Sequence, residues 1–257
     1  MPVCKICQKE TLFAFKAEIL GKYIISYYNC PHCNFTQTEQ AYWLKESYKN
    51  PINTTDTGLV QRNLLCSRMT RSLIRLFFTK KASYLDMAGG YGLFVRLMRD
   101  KGYNFYWHDL YAPNLLSAGF EYDSHNPEKI ELITSFESFE HFDDPLKELE
   151  KMFPISKNIF FSTLLKPTDV PDKQWWYYAF EHGQHISFYS GKTLKFIAEK
   201  YHLHFYSNGK DFHLFTEKAI STFRWNFYSL IFKLLHYFCY NSIFTKRDNL
   251  FLEKSTC

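Results

Sequence analysis

The 257-residue sequence contains no internal repeat and no low-complexity stretch, which excludes a solenoid or a repeat array as its architecture. Its first ten residues, MPVCKICQKE, lack the apolar core of a secretory signal and the Arg/Ser-rich amphipathic pattern of a transit peptide, so a cytosolic chain is expected. No long apolar run is unbroken. The most apolar stretch, FRWNFYSLIFKLLHYFCYNSIF, is interrupted by Arg224, Lys233, His236 and Asn241, which argues against a membrane span. An amphipathic helix packed on the protein, on a second subunit or on a membrane surface fits it better. The expected location is therefore cytoplasmic, with a peripheral position at the inner membrane surface as the variant that uses this tail.

A uniform excess of one charge is also missing. The formal charge of +5 is split between basic ends and an acidic middle: residues 1–81 carry 12 basic and 5 acidic side chains, and residues 82–218 carry 14 and 19. The overall balance thus selects no partner class, and nucleic acid is the less favoured one. What is abundant is aromatic: 19% of residues, including 26 Phe and 19 Tyr. The length allows one medium domain with an appendage and a sizeable core.

Seven cysteines in a reducing compartment need an explanation, and four supply one. Cys4 and Cys7 form one C-x2-C pair, and Cys30 and Cys33 form another after 22 intervening residues. Two such tight turns complete a tetrahedral four-thiolate shell for Zn2+, with no open coordination position, so the zinc is read as structural. Two redox dithiols or unpaired buried cysteines are the competing reading. His32 is not expected as a further ligand, and Cys66, Cys239 and Cys257 have no partner spacing.

Along the chain, residues 1–44 read as a small zinc-ribbon-like module. Residues 45–81 read as a linker and an amphipathic helix, with Leu65, Met69, Leu73 and Leu76 on one face and Arg68, Arg71 and Arg75 on another. Residues 82–218 alternate strands and helices, which predicts an α/β domain with a Rossmann-like, mostly parallel, seven-stranded sheet covered by helices on both faces. Residues 219–257 form an aromatic, basic, helical tail. Asp144-Pro145 and Ser190 mark helix starts, and Asn208-Gly209 marks the turn of an antiparallel pair.

Within YLDMAGGYGLFVRLM, Asp86 ends a strand, Gly89, Gly90 and Gly92 make a turn, and an apolar helix follows. Asp109 ends the next strand 19 residues beyond Gly90, where an acid accepts hydrogen bonds from ribose hydroxyls. Val95 stands where a dinucleotide fold prefers glycine, which disfavours NAD.

The stretch LDMAGGYG resembles the first motif of class I S-adenosylmethionine-dependent methyltransferases, acid-x-Gly-x-Gly-x-Gly, with Asp86, Ala88, Gly90 and Gly92 at the four positions. Ala88 departs from the pattern, and a negative φ is expected to accommodate it. The run ELITSFESFEHFDDPLKELEKMF, with Glu140-His141 and Asp144-Pro145, resembles the family's fourth strand and following helix. The segment EHGQHISFYSGKTL resembles the acceptor side of bacterial members that modify sugars or surface glycans, some of which carry an N-terminal zinc module.

The resemblance implies S-adenosylmethionine as cofactor, with Gly90 and Gly92 along its methionine part, Asp109 at the ribose, and Phe136 and Glu137 at the border of the site. It also implies a sugar-nucleotide or glycan acceptor. His185 is the first candidate for a general base, followed by Glu181, His182 and His141. O-methylation is preferred over C-methylation, because His182-Gly183-Gln184-His185 replaces the Tyr-x-Glu-His of carbon-methylating relatives. The aromatics of DKQWWYYAFEHG are candidates for stacking on a sugar, with about half expected in the core. Two other readings stay open: an RNA methyltransferase that grips phosphates with the zinc module and the arginine helix, and a non-catalytic zinc-stabilised scaffold, against which Gly90, Gly92 and Asp109 argue.

Overall fold

The structure is a computed structural model that describes residues 2–48, 57–125 and 129–239. Part of the expected linker, the end of the expected tail and Cys257 lie outside these residues, and with them much of the expected membrane or subunit contact. In chain order the strands are β1 (Leu12–Ile19), β2 (Tyr23–Asn29), β3 (Thr36–Thr38), β4 (Ser83–Met87), β5 (Asn104–His108), β6 (Ile130–Ser135), β7 (Ile159–Ser162), β8 (Ser187–Phe188), β9 (His204–Ser207) and β10 (Phe212–Thr216). The helices are α1 (Leu44–Ser47), α2 (Leu59–Phe77), α3 (Leu93–Asp100), α4 (Pro145–Met152), α5 (Gly191–Lys200) and α6 (Thr222–Cys239).

Two compact units divide the chain, Met1–Lys49 with Ser135–Ala219 and Asn50–Thr134 with Ile220–Cys257. In the first, β1, β2, β3 and β8 form an antiparallel sheet in that order. The N-terminal strands thus do not close on themselves at residue 44, since the free edge of β3 is paired by Ser187 and Phe188. Phe15, Ile25, Tyr27, Trp43, Tyr178 and Phe188 share one buried cluster. The same unit holds β7, β10 and β9, paired antiparallel in that order. Helix α4 begins where Asp144 accepts from the Lys147 amide at 3.2 Å, and α5 begins with a reciprocal Ser190–Thr193 capping box.

In the second unit, β4 lies between β5 and β6 and is parallel to both. The aromatic abundance fills this interior: Tyr84 stacks on Phe105 with centroids 5.0 Å apart, and Phe94, Val95 and Met98 are buried from α3. Helix α2 buries Leu65, Met69 and Leu73 while Arg68, Arg71 and Arg75 are exposed. Helix α6 packs against it: Trp225 and Tyr228 are buried, Trp225 stacks near Phe77 at 6.3 Å, and the Arg224 guanidinium donates to the Leu76 carbonyl. Among the described residues no helix is long and apolar enough to cross a membrane.

The expected seven mostly parallel strands are corrected by these pairings. Of the seven strands that the 82–218 region supplies among the described residues, β8 joins the N-terminal sheet, and the β7–β10 and β10–β9 pairs are antiparallel. The four residues between β9 and β10 explain the direction, because a parallel neighbour needs a crossover of a dozen or more residues. Asn208 fixes this turn by accepting from the amides of Lys210, Asp211 and Phe212 at 2.9, 3.0 and 3.1 Å.

Candidate functional site

The glycine turn lies in the second unit, between β4 and α3. Gly89 donates to the His108 carbonyl at 3.1 Å and Gly92 to the Gly89 carbonyl at 3.0 Å, which fixes a sharp reversal. Ala88 is drawn into it at φ +59°, so the expected negative φ is corrected. A residue with a Cβ pays roughly 1–2 kcal/mol for that left-handed conformation. At Gly92, with φ +83°, a Cβ would run into Ser117 Oγ and stand 2.7 Å from Asn114 Oδ1, so glycine there lets the segment after β5 close on the turn.

Asp109 ties the two together. Its Oδ2 accepts from the Gly90 amide at 2.9 Å, while Oδ1 accepts from Tyr111 and Ala112 at 2.7 and 2.9 Å. A carboxylate has about four acceptor positions, so capacity remains for a ribose hydroxyl. Trp107, which sequence reading did not single out, donates from Nε1 to the Gly90 carbonyl at 2.9 Å. A Cβ at Gly89 would lie 2.7 Å from the indole Cδ1, so the missing side chain is what lets this ring rest on the turn. Its signal was its position at the end of β5, two residues before Asp109.

Asp86 is only 3% exposed, and burial pushes its carboxyl up to about 8, with Asp109 adding to the rise. Thr134 donates to its Oδ1 at 2.6 Å and partly offsets the cost. Asp86 is thus held neutral at the root of the turn.

Of the acceptor-side candidates, all in the first unit, His141 and His185 meet ring to ring, while Glu181 and His182 pair with each other and act on His185 through their charge. Glu181 and His182 form a 3.5 Å pair, Glu181 exposed and His182 partly exposed. The rings of His141 and His185 meet edge to face, centroids 5.0 Å apart. His185 Nδ1 is 2.6 Å from the Tyr177 carbonyl, an acceptor only, so Nδ1 carries the proton and Nε2 keeps its lone pair. Burial lowers the pKa of both histidines, that of His141 to about 3 with further repulsion from His185.

Beside them lies Glu140, which sequence reading quoted with His141 but gave no role. It is fully buried and neither carboxylate oxygen has a hydrogen-bond partner, nor does His141 Nδ1. Burial first, then the Glu137 carboxylate, push Glu140 up to about 8, and the Tyr177 and Thr163 hydroxyls offset this in part. Backbone ties place these residues: the Ile186 amide donates to the Glu140 carbonyl at 2.9 Å and Tyr189 Oη to the Phe139 carbonyl at 3.0 Å.

The remaining sequence candidates of this unit are Phe136 and Glu137. Phe136 packs on Phe160 and Phe212 at 5.5 and 6.0 Å. Glu137, at φ +51°, accepts from Ser162 Oγ at 2.6 Å. Of the aromatics offered for sugar stacking, Tyr177 and Tyr178 are core residues and Trp175 packs against that core, whereas Trp176 is 74% exposed.

The cysteines form a second centre in this unit. Cys4 Sγ lies 3.5 Å from Cys33 Sγ, Cys7 Sγ lies 3.3 Å from Cys30 Sγ, and all four fall within 4.8 Å of one another. Zinc–sulfur bonds of about 2.3 Å in a tetrahedron put sulfurs about 3.8 Å apart, so the set fits one ion. The two pairs share one backbone form. Gln8 and Asn34, each four residues beyond the first cysteine, have φ near +60° and donate to the Cys4 and Cys30 carbonyls at 3.0 and 2.9 Å. Lys166, 3% exposed, donates to Asn34 Oδ1 at 2.9 Å and brings a cation toward this thiolate-rich corner. Burial lowers its pKa to about 8, against the pull of Asp169 and Cys33.

Residues 61–207 match a family model described as a methyltransferase domain. No curated protein matches the chain. Among solved structures, the plantazolicin methyltransferase BpumL in complex with SAH is similar with a TM-score of 0.51 and 14% identity, over 76% of this chain and 89% of that one. The mitomycin 7-O-methyltransferase MmcR has a TM-score of 0.47 and 11% identity over 68% and 60%.

Proposed function

Because the chain belongs to the methyltransferase-domain family, we propose that it transfers the methyl group of S-adenosylmethionine to a hydroxyl of a sugar or glycan. The observation that carries the cofactor half is the tie between Gly90 and Asp109, at 2.9 Å, on a turn that brings backbone close to a ligand. The resemblance of EHGQHISFYS to sugar-modifying enzymes and the exposed ring of Trp176 support the acceptor half.

Methyl transfer is an in-line displacement. The acceptor oxygen forms a bond to the methyl carbon, the carbon–sulfur bond breaks, and the sulfonium leaves as a neutral thioether. The protein's task is to position the reactants and to receive the hydroxyl proton. His185 suits the last role, since its Nδ1–H is fixed on the Tyr177 carbonyl and burial keeps the ring neutral with Nε2 as the acceptor. The four cysteines would hold a structural zinc, whose closed shell would leave it no part in this step.

A second reading, RNA as acceptor, draws on the three exposed arginines of one α2 face, Arg68, Arg71 and Arg75. Calorimetry on zinc-loaded protein with S-adenosylmethionine and its demethylated product tests the cofactor. Well-folded protein that binds neither would sink the enzyme reading. Incubation with sugar nucleotides and with RNA, followed by mass spectrometry for an added methylene, separates the acceptors. Labelling of RNA that falls steeply with salt, with sugars unmodified, would replace the glycan reading.

A further inference from the structure

We infer that Glu140, His141 and His185 form a binding site for one divalent transition-metal ion, distinct from the four-cysteine centre. One carboxylate oxygen and one nitrogen from each imidazole lie within 4.8 Å of one another. An ion with bonds of about 2.1 Å needs them roughly 3.0–3.4 Å apart, which small side-chain rotations supply.

The polar bookkeeping of the cluster points to a missing partner. Both oxygens of Glu140 and Nδ1 of His141 are shielded from solvent and make no hydrogen bond. Buried polar atoms in native folds are nearly always paired, and each orphan costs about 1–3 kcal/mol. The Tyr177 and Thr163 hydroxyls act on Glu140 without reaching hydrogen-bond geometry, and three such atoms from two neighbouring side chains at one spot are better explained by an ion than by tolerance of the cost.

His185 supplies a separate observation. Metal-binding histidines commonly donate their other ring N–H to a carbonyl or carboxylate, which fixes the tautomer. Here Nδ1 donates to the Tyr177 carbonyl at 2.6 Å and Nε2 is left as the ligand atom. The backbone is tied together without the ion. Ile186 donates to the Glu140 carbonyl at 2.9 Å, and Ser187 Oγ donates to the Phe142 carbonyl at 2.7 Å.

Two imidazoles and one carboxylate suit Zn2+, Co2+, Fe2+ or Ni2+ and are poor ligands for Mg2+ or Ca2+, which prefer all-oxygen shells. Three protein ligands also leave a coordination position open, unlike the closed cysteine shell. The inference does not rest on the methyl-transfer reading: an ion on Nε2 of His185 would occupy the lone pair that the base role uses, so a loaded site excludes that role for His185, and the test reads metal rather than cofactor or product.

The full chain, stripped of metal and titrated with Co2+, distinguishes the two centres. The four-cysteine centre gives an intense thiolate-to-cobalt charge-transfer band, and the Glu140–His141–His185 site adds only weak visible absorption. Two bound equivalents are expected in wild type. Glu140→Gln and His185→Gln each reduce this to one and keep the charge-transfer band and the near-ultraviolet circular dichroism. X-ray absorption of wild-type protein with two equivalents of Zn2+ covers the case in which the variants do not fold, and is expected to show a nitrogen and oxygen shell beside the sulfur shell. A single equivalent in an all-sulfur shell, or two equivalents retained in both folded variants, overturns the site and leaves Glu140 and the histidines as a proton-sharing cluster.

Discussion

The Gly90 amide donates to Asp109 Oδ2 across 2.9 Å, joining the glycine turn to the end of the neighbouring strand. One carboxylate therefore shapes the loop, and in the proposed function it also takes the ribose. Asp109→Ala removes both roles and is expected to weaken S-adenosylmethionine binding roughly 100-fold, the worth of one to two charge-assisted hydrogen bonds. Asp109→Asn, which still accepts through one oxygen, should lose less. Calorimetry measures both, and an alanine variant that binds as wild type does removes the ribose assignment.

Neighbouring positions in the turn should respond in opposite directions. Ala88→Gly relieves a left-handed φ of +59° and is expected to stabilise the protein by about 0.5–1 kcal/mol after the entropy cost of glycine. Gly89→Ala puts a Cβ 2.7 Å from Trp107 Cδ1 and 3.0 Å from Asp86 Oδ2, and is expected to cost about 1–3 kcal/mol. Denaturant unfolding of the pair checks the contrast, and equal signs would refute the placement of the turn.

Asp86 makes stability depend on pH. Its carboxyl titrates near 8 in the fold, from an ordinary value of 3.8, so between those values the folded state holds a proton that the unfolded chain has released. Its contribution is fully present below about 4 and is lost as pH rises through about 8. Asp86→Asn cannot ionise and still accepts from Thr134, so the melting temperature of the variant relative to wild type should climb from pH 4 to pH 8. A constant difference across that range would show that Asp86 is not held neutral.

Removal of one thiolate tests the zinc. Cys33→Ser leaves three sulfurs in a shell built for four, and the Cys33 carbonyl also accepts from Thr193 at 2.9 Å, linking the knuckle to the α5 cap. Loss of bound zinc and a fall in melting temperature of about 10 °C or more are expected. Wild-type protein that contains no zinc after purification with zinc present, yet melts as high as before, would contradict a structural ion.

Most of the elements were legible along the chain because they are set by near neighbours. Ser190 and Thr193 cap α5, Asp144 and Pro145 open α4, and Asn208 bends β9 into β10. The strand count and the direction of the last pairings were not, since they depend on which edge each strand meets. The site divides in the same way. The four cysteines and Asp86, Gly90, Gly92 and Asp109 stand at spacings that carry meaning on their own. Trp107 was missed because its role is contact with a backbone turn 17 residues away, and Glu140 because an acid beside a histidine is common.

The sequence by itself determined the cysteine shell, the strand–glycine–helix turn and the acid that follows it, because each is a short-range pattern in which residue type and separation dictate the chemistry. Tertiary structure decided the rest. It forced Ala88 into a left-handed conformation and put Tyr177 and Tyr178 in the core while Trp176 stayed exposed. It also brought His185 beside His141 and Glu140, 44 and 45 residues apart in sequence. Those outcomes follow from backbone pairing and burial over long sequence distances, where the cost of a strained φ or an unpaired carboxylate is set by neighbours that no local pattern names.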